Sequence, residues 1–176
     1  MERHHQTGLT LIELLMTLAI AAILAAAAAP SFRDVATRSR IVTTGNALVG
    51  MLNLARQHAV MSGGKVMLCP SRDGLTCDAS AHWEQGWLVA ADRGDDTPEP
   101  VLRVHDALPD DTVVISSIGR TRVRYRADGS SPGTNLSLIV CRRGNANDAR
   151  AVVVSNSGRP RQARATPAQA AQCANA

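Results

Sequence analysis

One apolar stretch near the amino terminus constrains this chain most. The 21 residues Leu9–Ala29 are apolar apart from Thr10, Glu13 and Thr17, and a short polar leader, MERHHQTG, precedes them. A helix of that length reaches about 31 Å, which matches the hydrocarbon thickness of a bilayer. The stretch therefore predicts a membrane-spanning helix over residues 9–30.

Glu13 is the residue in this stretch that needs an explanation. A carboxylate inside an apolar membrane helix costs about 2.5–3.5 kcal/mol, so a cation is expected to compensate it. If the chain is cut after Gly8, the new α-amino group on Leu9 lies about one helical turn from Glu13. That amino group can belong to the same chain or to a neighbouring subunit in a helical assembly.

A polar leader ending in Gly8, Glu13 as the fifth residue after that glycine, and Pro30 at the end of the apolar run together resemble the class III signal of type IV pilins and pseudopilins. The resemblance implies that a prepilin peptidase cuts after Gly8 and methylates Leu9, and that Glu13 helps recruit the subunit into a filament. It also implies a single pass of the inner membrane, a periplasmic domain and assembly with other pilins into a pilus. Leu9 departs from the phenylalanine most common in the family.

Two other interpretations of this stretch remain. The first is an ordinary secretory signal peptide with Ala-x-Ala sites within Ala25–Ala29, and Glu13 near the start of the apolar core argues against it. The second is a plain single-span anchor that carries a stray glutamate.

The 146 residues after Pro30 have the size of one domain. Residues 31–62 keep a helical rhythm, so the helix is expected to continue past Pro30 as an amphipathic segment and to end at Ser62-Gly63-Gly64. The apolar positions that carry this rhythm are Val42, Leu48, Leu52, Ala55 and Ala59.

Residues 63–156 change to short β runs that are separated by Gly, Asp and Pro turns, which predicts antiparallel sheets. The expected fold class is α+β, pilin-like, with one long helix packed on a small domain of antiparallel β-sheets and a basic tail over residues 157–176. The predicted strands are Lys65–Cys69, Gly86–Ala91, Val101–His105, Thr112–Ser117, Arg122–Arg126, Leu136–Cys141 and Ala151–Ser155.

The four cysteines form an even set downstream of an export-type segment, which suits an oxidising compartment. Three pairings are possible, and the spacing favours Cys69 with Cys77 and Cys141 with Cys173. A metal site is the alternative, but the chain has no Cys-x-x-Cys pair and no nearby histidine spacing. No metal or cofactor is expected.

The sequence carries no motif of an enzyme. A G-x-S-x-G elbow, an H-E-x-x-H helix and a P-loop are absent, and His58, His82 and His105 stand beside no nucleophile motif. The run DRGDDTPEP, which begins at Asp92, lacks the spacing of an EF-hand, so a solvated turn is favoured over a calcium loop.

Charge is distributed unevenly along the chain. The segment from Asp73 to Asp111 contains ten acidic residues and two arginines, whereas the segment from Arg120 to Arg164 contains ten arginines and two acidic residues. A strand over 122–126 would place Arg122, Arg124 and Arg126 on one face as a cationic stripe. The alternative is an ordinary exposed strand face in an arginine-rich proteome, a bias that the chain's single lysine, Lys65, shows.

The second basic element is SGRPRQAR, residues 157–164. Gly158 frees the backbone, and Arg159, Arg161 and Arg164 project from the tail, where guanidinium groups can bind phosphate oxygens in pairs. If Cys173 pairs with Cys141, the tail becomes a tethered loop and Arg142 and Arg143 are brought beside it. These residues predict a phosphate-binding surface.

The segment Cys69–Asp92, together with RYRADGSS and SNSGRPR, resembles the GspH/FimT family of minor pilins and pseudopilins. The Gly158, Arg159 and Arg161 pattern, G-R-x-R, resembles the tail of the FimT branch, which implies non-specific DNA binding for DNA uptake in natural transformation. The alternative is a structural minor pilin or type II secretion pseudopilin of a tip or initiation complex, which binds only other pilins.

Overall fold

The structure is a computed structural model that describes residues 10–80, 82–94, 98–117 and 120–175, without the side chains of residues 28–31 and 33. The predicted processing residues, Gly8 and Leu9, lie outside the described part. The chain divides into two compact units, Met1–Arg38 and Ser39–Ala176.

One long helix, α1, runs from Leu11 to Ser62 over 52 residues. The side-chain oxygen of Thr10 accepts a hydrogen bond from the main-chain N–H of Glu13 at 3.3 Å, which is the arrangement of a helix N-cap. The helix passes through Pro30, as predicted. It stops before Gly63, whose φ of +63° a residue with a side chain rarely adopts.

The first unit exposes a nearly continuous set of apolar side chains on α1, among them Leu11, Ile12, Met16 and Ile23. Glu13 is exposed in the same segment. Within the described residues, none of the helices has both the length and the apolar character of a bilayer span. The membrane helix over residues 9–30 stays a prediction.

In the second unit, α1 buries one face at a helical spacing. The buried apolar positions are Ile41, Leu48, Met51, Leu52, Ala55 and Ala59. Four of the five predicted positions are buried; the fifth was wrong, because Val42 is only half-buried and Ile41 occupies the core. The reason is the helical period, since residue 41 lies seven positions before Leu48 and therefore shares its face.

Eight strands form two antiparallel four-stranded sheets in the orders β3-β2-β1-β5 and β4-β6-β7-β8. Seven of them correspond to predicted strands, although β3 and β7 begin earlier than expected. Their bounds are β1 Val66–Pro70, β2 Trp87–Asp92, β3 Pro98–His105, β4 Thr112–Ser116, β5 Val123–Tyr125, β6 Ser137–Arg142, β7 Asn145–Val154 and β8 Pro160–Arg164.

The main core lies between α1 and one face of each sheet. Trp83, Trp87 and Tyr125 are its largest fully buried side chains, and aliphatic residues of both sheets complete it. A second cluster, which includes Val113, Ile139 and Cys173, covers the other face of the second sheet. The predicted α+β, pilin-like class with a long helix and antiparallel sheets is confirmed.

The sequence suggested that residues 157–176 form a basic tail that is tethered as a loop, but the structure shows regular elements there. They contain strand β8 and a second helix, α2 (Pro167–Ala174). The Thr166 side chain accepts from the N–H of Gln169, whose side chain bonds back to Thr166, so a capping box starts α2. The sheet therefore extends beyond the predicted boundary at residue 156.

Both disulfides have the pairing that the cysteine spacing favours. Cys69–Cys77 closes the loop after β1, with Cα atoms 5.6 Å apart, and Cys141–Cys173 fastens α2 to β6, with Cα atoms 6.2 Å apart. The second bond fixes the end of the chain to the second sheet. It does so through a helix rather than through a flexible tether.

Candidate nucleic-acid interface

The G-R-x-R residues lie in the turn between β7 and β8 and at the start of β8. The N–H of Gly158 donates to the carbonyl oxygen of Ser155 at 2.8 Å, and the N–H of Ser155 donates to the carbonyl oxygen of Arg159 at 3.3 Å. This closes a tight turn over residues 155–159, which we call the β7–β8 turn. Gly158 is therefore held in a hydrogen-bonded turn, whereas the sequence had suggested that it makes the backbone flexible.

Gly158 is the one residue of this turn that must be glycine. Its φ is +77°, and a Cβ at this position would overlap the carbonyl oxygen of Gly129 and touch the ring of Tyr125. Only a residue without a side chain allows the two backbones to approach so closely. The glycine of the motif thus positions the arginines that follow it.

A second turn, residues 126–131, packs against the β7–β8 turn. The N–H of Ser131 donates to the carbonyl oxygen of Asn156 at 2.9 Å. The Nε of Arg56 on α1 donates to the carbonyl oxygen of Gly129, also at 2.9 Å. These contacts bring Arg56 and Arg126 to the same end of the domain as Arg159.

Arg56 was missed by the sequence analysis because it lies in a helix, far from either basic run in sequence. Its side chain is half-buried and is held by Gly129. No sequence signal distinguishes it from the other polar positions of α1. Only the fold of the 126–131 turn over the end of the helix reveals it.

Arg159 and Arg161 are both exposed. Arg161 pairs with Val153 across β7 and β8, and alternation along the strand places Arg159 on the same face of the sheet. Arg164 is also exposed, but its odd spacing from Arg161 places it on the opposite face. The three tail arginines therefore do not form one row.

One acid lies among these cations. Asp128 accepts hydrogen bonds from the side chain and the N–H of Ser130, and these bonds hold its pKa below its usual range, with a smaller contribution from Arg126. Asp128 is therefore ionised at neutral pH. Against it stand four guanidinium groups, on Arg56, Arg126, Arg159 and Arg161, so this end of the domain remains positive.

The arginines of the predicted stripe on β5 do alternate with buried residues, but not all of them are free to bind a ligand. Val123 and Tyr125 are buried, which leaves Arg122, Arg124 and Arg126 on the other face. However, the Nε of Arg124 lies 2.9 Å from Oδ2 of Asp92, a carboxylate that is 2% exposed. Arg124 therefore stabilises the folded domain by pairing with a buried carboxylate, and of the three arginines Arg126 is the exposed one.

This ion pair also corrects the expected solvated turn at Asp92. The residue is buried at the end of β2, where its carboxylate also accepts from the N–H of Gly94 at 2.9 Å. Asp95 and Asp96, the other acids considered for a calcium loop, lie outside the described residues.

Arg142 and Arg143 do not lie beside Arg159 and Arg161, so that expectation was wrong for these two tail arginines. Arg142 pairs with Asn145 at one end of β7, whereas Arg161 pairs with Val153 eight residues further along the same strand. Eight residues of a strand span about 26 Å. The disulfide brings α2, not Arg159 or Arg161, to this end of the sheet.

Arg143 is also engaged with its neighbours. Its Nε donates to the carbonyl oxygen of Asp110 at 3.1 Å, and its guanidinium lies 3.8 Å from the Glu84 carboxylate. Glu84 in turn lies 3.1 Å from Nδ1 of His82. These contacts form a polar network at the β6–β7 end of the second sheet.

Two candidates from the sequence remain, the histidines and a metal site. The ring of His105 stacks on Trp87 with centroids 3.9 Å apart. In the described ranges, no group of three or more His, Cys, Asp or Glu residues is placed to hold a metal ion.

Comparison with known proteins identifies the family. Residues 44–158 match the family model described as Type II transport protein GspH, and residues 3–29 match the prokaryotic N-terminal methylation motif. The second match spans the predicted processing residues and Glu13. The first ends at Gly158, so Arg159 and Arg161 lie just beyond it.

Two solved structures of one minor pilin show the same fold, and a third structure aligns with a lower score. The type IV minor pilin FimU of Pseudomonas aeruginosa, in two crystal forms, aligns with TM-scores of 0.61 and 0.57 at 20% identity, covering 72% and 69% of this chain and 90% of FimU. The minor pseudopilin EpsH of the type 2 secretion system of Vibrio cholerae aligns with a TM-score of 0.49 at 13% identity, covering 69% of this chain and 94% of EpsH. Because the family model covers well over half of the chain and the methylation motif precedes it, this chain belongs to the GspH family and is a type IV minor pilin or pseudopilin.

Proposed function

We propose that this chain is a minor type IV pilin that binds DNA without sequence preference, for DNA uptake in natural transformation. One observation carries the proposal: Arg159 and Arg161 are exposed on the same face beside the open edge of a sheet. In the part of the chain that the structure describes, neither guanidinium has an acidic partner. The resemblance of G-R-x-R to the FimT branch supports the same function.

The chemistry of this surface favours the phosphate backbone over the bases. Guanidinium groups bind phosphate oxygens through paired hydrogen bonds and stay charged at physiological pH. The nearest aromatic side chain, Tyr125, is fully buried and offers no stacking platform. Binding is therefore insensitive to sequence and steeply dependent on salt.

The amino-terminal segment has its own part in the proposal. A prepilin peptidase cuts after Gly8 and methylates Leu9, and residues 9–30 anchor the chain in the inner membrane before it joins other pilins. Glu13 then pairs with an α-amino group during assembly, and the domain lies in the periplasm or on the pilus. The methylation motif over residues 3–29 and the exposed apolar side chains of this segment support this part.

The test is a titration of the oxidised full-length chain, in non-ionic detergent, with random-sequence duplex DNA at several salt concentrations. Contacts from Arg126, Arg159 and Arg161 give a log–log salt slope of about −2.7, at 0.9 per phosphate contact. The double variant Arg159→Gln with Arg161→Gln reduces that slope by about 1.8. At 50 mM salt each lost contact weakens binding about tenfold.

The matched control removes the same charge elsewhere. Arg72 and Arg103 are exposed and lie in the loop after β1 and on β3. The variant Arg72→Gln with Arg103→Gln has the same net charge as the tail variant, so equal losses in both would indicate general electrostatic attraction. Equal affinity of the tail variant and the wild type would refute the assignment of the turn.

The second candidate function is that of a structural minor pilin or type II secretion pseudopilin that binds only other pilins. The match to the model described as Type II transport protein GspH favours it, since that match ends before Arg159. A folded wild-type chain that fails to bind DNA at low salt would support this candidate. The basic turn would then contact neighbouring subunits.

A further inference from the structure

Two arginines face each other directly across strands β7 and β8. Arg150 and Arg164 are cross-strand partners in the register of the second sheet. They are 14 positions apart in the sequence, and Arg150 belongs to neither basic run singled out above. The sheet alone brings the two together.

The pair is of the close type. The N–H of Ala165 donates to the carbonyl oxygen of Ala149 at 3.1 Å, one position away, so Arg150 and Arg164 form a non-hydrogen-bonded pair. Cα atoms in such pairs are about 4.5 Å apart, closer than in hydrogen-bonded pairs. Like charges in this position repel each other and destabilise the sheet.

Nothing within the described residues neutralises this repulsion through an acidic partner of either side chain. Arg164 is exposed and Arg150 is half-buried, so both residues are partly accessible to solvent. Val152 and Gln162, the neighbouring pair on the same face, lie toward α1, where Gln162 contacts Gly45. The repulsion therefore lowers the stability of the folded domain, and a bound anion would remove it.

Arg164 lies on the same open edge as the proposed DNA-binding turn, and Arg150 lies beside it on β7, one strand further in. β8 is the last strand of its sheet, so no strand covers its outer side. Arg164 follows Arg161 by three residues, or about 10 Å along the strand. Arg161 and Arg164 lie on opposite faces of this edge strand, and the long methylene stems of arginine let charged groups on both faces reach toward its open side.

We infer that Arg150 and Arg164 form a second phosphate subsite, in which the two guanidinium groups hold one phosphodiester of DNA whose backbone runs along β8 from the β7–β8 turn. This inference rests on the proposed function and adds Arg150 to its surface. Each guanidinium donates hydrogen bonds to phosphate oxygens, and the shared anion cancels the repulsion between them. Arg159 and Arg161 supply the first contacts at the other end of the strand.

The test measures DNA binding and thermal stability on the same full-length variants, Arg150→Gln and Arg164→Gln. Because the two guanidinium groups hold one phosphodiester, the pair contributes about 0.9 to the salt slope, so each variant reduces the slope by at most that amount and weakens binding by at most about tenfold at 50 mM salt. Without DNA, each raises the unfolding midpoint at low salt, because one of two opposed charges is gone. The control Arg103→Gln removes an exposed charge from β3 and changes neither property.

Inorganic phosphate separates the pair from general charge effects. At matched ionic strength, phosphate in place of chloride raises the unfolding midpoint of the wild type more than that of Arg150→Gln. A phosphate effect lost in the variant together with a reduced DNA slope supports the inference. A phosphate effect lost in the variant with an unchanged DNA slope would mean a small-anion site that DNA does not use, and would overturn it.

The outcomes also separate this inference from the proposed function. If the wild type binds DNA, the Arg159 and Arg161 variant loses binding and Arg150→Gln keeps the full slope, then only the second subsite is refuted. If the wild type fails to bind DNA at low salt, both are refuted. A lower unfolding midpoint in both Arg150→Gln and Arg164→Gln would show that the pair stabilises the sheet, against the repulsion argued here.

Discussion

Replacement of Gly158 by alanine tests whether this glycine positions the arginines that we propose to bind DNA. Gly158 has a φ of +77°, and its Cα faces the carbonyl oxygen of Gly129 and the Tyr125 ring. The new methyl group therefore meets two obstacles, an unfavourable backbone conformation and a backbone atom that cannot move aside without displacing the 126–131 turn. Both act on the folded state.

The two costs can be estimated separately. A residue with a side chain in the left-handed region costs about 1–2 kcal/mol. Forcing an extra methyl group into a filled site costs about 1–3 kcal/mol more. The sum, about 2–5 kcal/mol, is a large share of the about 5–15 kcal/mol that stabilises a typical domain.

Gly133 provides the matched control. Its φ is +73°, but no atom lies within 4 Å of the position that a Cβ would occupy. Gly133→Ala therefore carries only the backbone cost, about 1–2 kcal/mol. The difference between the two variants isolates the overlap with Gly129.

Chemical denaturation followed by tryptophan fluorescence measures both variants, since Trp83 and Trp87 are fully buried in the core. DNA titration at fixed salt measures the position of the arginines. We expect Gly158→Ala to lose both stability and affinity, and Gly133→Ala to lose only stability. A Gly158→Ala variant no less stable than Gly133→Ala, with wild-type affinity, would refute the structural role of this glycine.

Two further predictions concern β5. Arg124→Gln lowers the free energy of unfolding by about 1–3 kcal/mol, because it removes the guanidinium group that pairs with the buried Asp92 carboxylate, whereas Arg126→Gln changes it by less than about 0.5 kcal/mol and weakens DNA binding. Equal stability of the two variants in urea denaturation would contradict this division of roles. Burial raises the pKa of Tyr125 well above its usual range, and the charge of Arg56 opposes only part of that shift. Protonated Tyr125 therefore makes its full contribution to the free energy of unfolding below about pH 10, the pKa of tyrosine in the unfolded chain, and this contribution is lost at higher pH. The absorbance of the chain's single tyrosine should change only as the domain unfolds in alkali. A reversible tyrosinate signal near pH 10 from the folded chain would refute the burial argument.

Local patterns in the sequence are sufficient for much of the fold. The methylation motif is matched within the short segment 3–29, and the spacing from Leu48 to Ala59 determines which face of α1 is buried. Both features depend on residues close together in the chain, and in α1 helical geometry fixes which of them share a face. The two disulfides belong with them, because the spacing of the cysteines favoured the observed pairing.

Strand β8 shows where local patterns fail. Its sequence, PRQAR, has no large apolar side chain, because an edge strand buries little, and its proline occupies the first position, where a missing N–H costs least. Helix α2 differs in this respect. Its capping box at Thr166 and Gln169, with Pro167 between them, was present in the sequence as a helix start and could have been recognised.

The sequence by itself determined that arginines dominate the last third of this chain, and tertiary structure alone decided which of them act together. The register of β7 with β8 separates Arg142 from Arg161 and sets Arg150 opposite Arg164. A buried carboxylate engages Arg124, and the close approach of Gly158 to Gly129 brings Arg126 and Arg56 toward Arg159. The physical reason is that charge is a property of each residue, whereas the distance between two charges is set by strand pairing and packing between segments far apart in the chain.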